Sequence, residues 1–120
     1  MKVRCFVVMA CLFGLTGCVV ADMDSSNYTA VPYVQIFQKE GQHGHTDLAQ
    51  RSRDLHACGV PENVNPDSPD WQRVGVKQGE TVDHALARAH KLEQCMRSKG
   101  YDTLDFSECG PLKAPTGLCN

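Results

Sequence analysis

The densest run of metal-capable side chains in this chain is Gln42-His43-Gly44-His45-Thr46-Asp47. Two imidazoles either side of a glycine, with a carboxylate two residues further on, can offer Zn²⁺ or Cu²⁺ a set of ligands. His43, His45 and Asp47 are therefore the candidate metal ligands, with His56, His84 and His90 available to complete the set. His84 and His90 stand six residues apart and do not share one face of a helix, and ligands for a tight site usually sit on rigid elements. A solvated turn ahead of a helix is the simpler account. Asp102, Asp105 and Glu108 collect acidic charge near the end of the chain, but separated acids in a loop are ordinarily solvated. There is no G-x-S-x-G elbow, no H-E-x-x-H and no Gly-rich phosphate loop. Hydrolysis of a polysaccharide would need two carboxylates across a cleft. The residues thus point away from an enzyme.

Lys2 and Arg4 open the chain with positive charge, Phe6 to Leu15 follows as a short apolar run, and Leu15-Thr16-Gly17-Cys18 closes it. The run is short for a permanent membrane span and of suitable length for a signal core. The four closing residues resemble the lipobox of bacterial lipoproteins, where the chain is cut before a lipidated cysteine. The resemblance implies a signal peptide over 1–17, lipid on Cys18 and residence in the cell envelope. Cys11 is a poorer rival, since the apolar segment before it is too short. Val19, in place of aspartate, favours export to the outer membrane in enteric bacteria. Membrane contact would come from acyl chains, palmitate among them, each buried methylene contributing about 0.8 kcal/mol. Losing Lys2 and Arg4 takes the formal charge from −2 to −4, a poor balance for nucleic acid.

That reading also sorts the seven cysteines. Cys5 and Cys11 leave with the signal and Cys18 takes lipid, so Cys58, Cys95, Cys109 and Cys119 remain, an even set in an oxidising compartment. Four cysteines allow three pairings. The favoured one is Cys58–Cys95 with Cys109–Cys119, the second closing a loop that holds Gly110, Pro111, Pro115 and Gly117. A cysteine zinc site is disfavoured because the four lack paired C-x-x-C spacing. No cofactor is expected beyond the lipid.

These residues need elements to hold them. Residues 18–44 read as a lipidated cysteine, a polar tether and an extended arm. Within the arm, Val31 to Phe37 forms either one short strand, which Pro32 would keep at an edge, or a segment packing Tyr33, Ile36 and Phe37 on the helices. Residues 45–120 read as the domain proper. The first helix runs from His45 to Cys58, capped by Thr46 or Asp47 and stopped by Gly59 and Pro61, with Leu48, Leu55 and Cys58 on its apolar stripe. Arg51, Arg53 and Asp54 are expected on its solvated side. Residues 60–79 form a long irregular connection. Trp71 there is either a plug on the core or an exposed partner contact. The second helix runs from Thr81 to Lys99, with Val82, Ala85, Leu86, Ala89, Leu92 and Met96 on one face and Glu93–Arg97 as an i, i+4 pair. The expected fold is a mainly α, disulfide-stapled domain of two principal helices.

Cys58-Gly59-Val60-Pro61 and Cys95-Met96-Arg97-Ser98-Lys99-Gly100-Tyr101 resemble the "CGxP" and "CMxxKGY/F" elements of small lipoproteins of Gram-negative bacteria. In that group a terminal cysteine pair around a proline-containing loop often follows, as Cys109 and Cys119 do here. The resemblance covers about residues 45–120, bears on the scaffold and carries over no catalytic residues. The leading expectation is a lipid-anchored accessory module acting by contact with an envelope protein. A periplasmic metal-binding module using His43 and His45 is one alternative, and a lipoprotein excluding phage or plasmids is another.

Overall fold

A computed structural model describes residues 28–120; the expected signal peptide, Cys18 and most of the expected tether lie outside the described residues. A 3₁₀ turn over Tyr33–Ile36 leads into strand β1 (Phe37–Lys39), followed by helices α1 (Leu48–Ala57) and α2 (Val82–Ser98). Strand β2 (Tyr101–Thr103) and a short helix α3 (Phe106–Cys109) complete the order. Each helix begins where its side chains satisfy the orphan amides of the first turn. Asp47 accepts from the Gln50 N–H and Thr81 from the His84 N–H. Asp105 and Glu108 form a capping box at α3.

The expected strand over Val31–Phe37 is displaced. Pro32 accepts from the Gln35 N–H, closing the 3₁₀ turn, and extended backbone begins only at Phe37. β1 then pairs antiparallel with β2, Phe37 opposite Thr103 and Lys39 opposite Tyr101. Leu104 N–H to Ile36 carbonyl at 2.8 Å and Glu40 N–H to Gly100 carbonyl at 3.0 Å lengthen the ladder at both ends. β2 was not expected, because three residues behind a helix stop carry too little alternation to announce a strand. The domain therefore contains three helices and a two-stranded sheet rather than two helices with one strand at most.

Residues of the arm supply much of the core. Val31, Tyr33, Val34, Ile36 and Phe37 are buried together with Leu55, Val60, Met96, Tyr101 and Cys109. The arm and the segment from residue 45 onward are thus one folded body. On α2, Ala85, Ala89 and Met96 face inward as the periodicity requires, while Val82 at the first turn is 57% exposed. The α1 stripe also holds, except that Leu48 emerges beyond the core edge and Arg51, one turn on, is buried in its place.

The two disulfides join Cys58 to Cys95 and Cys109 to Cys119. The first links the C-terminal ends of α1 and α2. The second folds the chain end back so that Asn120 reaches the first α1 turn, where its side chain and the Thr46 backbone exchange two hydrogen bonds.

Candidate functional site

Glu93 lies on the inward side of α2, between Ala89 and Met96, and is almost fully buried. Its carboxylate accepts from the Tyr33 hydroxyl at 3.1 Å and from Arg73 Nε at 2.6 Å, with a second Arg73 nitrogen at 3.3 Å. The expected Glu93–Arg97 pair is replaced by this one, because the carboxylate points into the protein where Arg73 arrives from the connection. Tyr33 in turn carries Trp71 on its ring, with centroids 4.7 Å apart and planes inclined at 35°. Arg88 holds the same connection further along, donating to the Gly75 carbonyl at 2.7 Å and pairing with Glu80 at 2.9 Å.

These ties fasten the connection to α2, and a groove of about 600 Å³ is lined by both. Val60, Val64, Trp71, Ala89 and Leu92 give it an apolar floor, with Cys58 at one end. Arg73 also lines a smaller cleft of about 400 Å³, where His90, Glu93 and Arg97 stand with Thr103, Leu104 and Phe106.

The titratable groups at the centre are held away from neutrality. Burial alone raises the Glu93 carboxyl, but the hydrogen bonds and charge of Arg73 and the bond from Tyr33 outweigh it, leaving a net shift downward. Burial and the Glu93 charge push the Tyr33 hydroxyl strongly upward. A second pair repeats the pattern at the helix ends. The Tyr101 hydroxyl donates to Asp54 at 2.7 Å, and burial with that contact raises the tyrosine. Hydrogen bonds from Tyr101 and Gln50 lower Asp54 despite its desolvation. Such groups are poor proton carriers near pH 7, where a general acid or base must exchange.

The structure separates the candidate metal ligands. His43 Nε2 meets Asp102 at 2.7 Å, Asp47 is engaged as the α1 cap, and His45 is exposed. His56 Nδ1 donates to the Val60 carbonyl, and His84 and His90 lie exposed on α2. Among the described residues no three His, Cys, Asp or Glu side chains converge as a metal site. Of the terminal acids, Asp102 holds His43 while Asp105 and Glu108 cap α3. Trp71 is half-buried, packed on the core by one face and lining the groove with the rest of its ring. Cys18 lies outside the described residues.

Comparison with protein-family models, curated proteins and solved structures finds no match. The site therefore rests on its own geometry.

Two further residues escaped the sequence reading. Arg51 was expected in solvent; it is 1% exposed and donates to the Phe37 carbonyl at 3.2 Å and to the Asn120 backbone oxygen at 2.6 Å. Gln38, wholly buried, accepts from the Gly44 N–H and the Thr46 hydroxyl and donates to the Gln35 carbonyl. Asp54 is likewise half-buried rather than solvated. For Arg51 a signal existed: it stands on the same helical stripe as Leu55 and Cys58, four and seven positions before them in the 3.6-residue repeat.

Proposed function

We propose that this protein is a lipid-anchored lipoprotein of the bacterial envelope, placed at the outer membrane by Cys18, whose domain acts by contact and not by catalysis. The observation that carries the contact role is the groove beside Trp71, lined by α2 and by the connection that Arg88 and the Glu93–Arg73 pair fasten to it. The Tyr33 hydroxyl on its lining and the Glu93 carboxyl behind it have pKa values moved away from neutrality, which suits contact better than proton transfer. Two disulfides support an oxidising compartment, in keeping with the Leu15-Thr16-Gly17-Cys18 signal.

Two measurements test this reading. Cells given labelled palmitate should incorporate it into the wild-type chain and not into Cys18→Ala, and the labelled protein should fractionate with the outer membrane. Cross-linking the wild-type protein in intact envelopes should return a reproducible partner. No palmitate on Cys18 would remove the anchor, and no specific partner would remove the contact role.

A further inference from the structure

The chain is acidic overall, yet the groove beside Trp71 is not. Arg73, Lys77, Arg88 and Lys91 line it against Asp70 alone. Arg73 and Arg88 already neutralise Glu93 and Glu80, whereas Lys77 and Lys91 enter no salt bridge among the described residues. Two unspent ammonium groups thus stand above a floor of Val64, Trp71 and Leu92. Exposed side-chain amides of Asn63 and Gln72 stand on the same lining, with no hydrogen-bond partner among the described residues.

We infer that this groove binds a short extended peptide segment of another protein, acidic in charge and carrying an aromatic or aliphatic anchor. The volume of about 600 Å³ falls within the ~300–1,000 Å³ of clefts that hold ligands. The apolar anchor packs on Trp71 and Leu92, the two lysines face carboxylates, and the two amides, each both donor and acceptor, pair with peptide backbone. That last feature selects a peptide over an acyl chain, which has nothing to offer an amide. The inference rests on the contact role proposed above and supplies the chemistry of its partner.

Trp71 is the single tryptophan, so its emission reports on the groove directly. The full chain with both disulfides intact is titrated with peptides alternating aspartate or glutamate with leucine or phenylalanine. Peptides with lysine in place of the acids, and phosphatidylglycerol vesicles, run beside them. The expected result is a saturable change of Trp71 emission with the acidic peptides only. Binding should weaken at least tenfold in Lys77→Glu with Lys91→Glu, and by about threefold when salt rises from 50 to 300 mM. Because both lysines are on the surface, circular dichroism should show that variant folded. Equal binding of the basic peptides, undiminished peptide binding by the double variant, or a response to vesicles that the double variant loses overturns the inference. If acidic peptides leave Trp71 unchanged while envelope cross-linking still returns a partner, the groove assignment falls and the contact role stands. If both fail, both fall.

Discussion

Arg51 and Glu93 are charged residues on otherwise apolar helix stripes, and each is kept there by specific partners. Truncating Arg51 to alanine leaves the Phe37 carbonyl without its side-chain donor, leaves the Asn120 backbone oxygen only the longer bond from Gln38 Nε2, and opens a void beside Leu55. Arg51→Ala should therefore lower stability by about 3 kcal/mol, read as a shift of the urea midpoint. Arg51→Met, which keeps the packing, should recover part of the loss. Glu93→Gln should cost about 1–3 kcal/mol at pH 7 by weakening the bonds from Arg73 and Tyr33. It should also change the response to acid. The Glu93 carboxyl titrates below its ordinary range in the fold, so its contribution is complete above the unfolded value of ~4.3 and is lost as pH falls through the folded value. Urea midpoints at pH 7 and pH 3 should therefore differ less in Glu93→Gln than in the wild type. An unaltered acid response would assign the loss elsewhere, for instance to Asp54.

Among the elements, α1 and α2 are tied at their ends rather than along their lengths. The Cys58–Cys95 bond spans 37 residues of chain, and by chain entropy it contributes about 3–4 kcal/mol. The Cys109–Cys119 bond spans 10 and contributes about 3 kcal/mol on the same model. Replacing the first pair by serine should lower the thermal midpoint more than replacing the second. It should also perturb Trp71 emission, since Cys58 stands at the groove end. The second pair should instead loosen the chain end, which proteolysis near residue 120 would report. Gly44 depends on that same chain end. Its φ is +75°, and a Cβ there would run into the Gly117 carbonyl. Gly44→Ala should cost more than the ~1 kcal/mol of left-handed strain alone, because backbone must also move. Thermal melting of the single variant measures it.

For the whole molecule, the arrangement proposed is a lipid anchor at Cys18, a polar tether, and a stapled domain presenting one basic groove on an otherwise acidic surface. The His43–Asp102 contact ties the turn after β1 to β2, and with Asp47 engaged at α1 it leaves His45 alone in solvent. Zinc or copper titration of the full chain should accordingly show no site tighter than micromolar that is lost in His43→Ala with His45→Ala. A tight site lost in that variant would restore the metal-binding module as the better reading.

The sequence by itself determined both main helices and their stops, narrowed the first cap to Thr46 or Asp47, and favoured, among three possible cysteine pairings, the one that the structure also adopts. Those features are local: a cap needs a side chain three residues from its amide, a stripe needs a 3.6-residue repeat, and a short disulfide loop needs turn residues inside it. It also carries Leu15-Thr16-Gly17-Cys18, which lies outside the described residues. What tertiary structure decided was non-local. The β1–β2 pairing joins segments some sixty residues apart, so neither strand could declare itself alone. Arg51 became a core residue because the Phe37 and Asn120 carbonyls meet it there. Glu93 left its helical neighbour for Arg73 because Tyr33 and the connection enclose it. Trp71 was legible as a residue of either fate. Only the packing of one ring face on Tyr33 gave it both, a plug that also floors a groove.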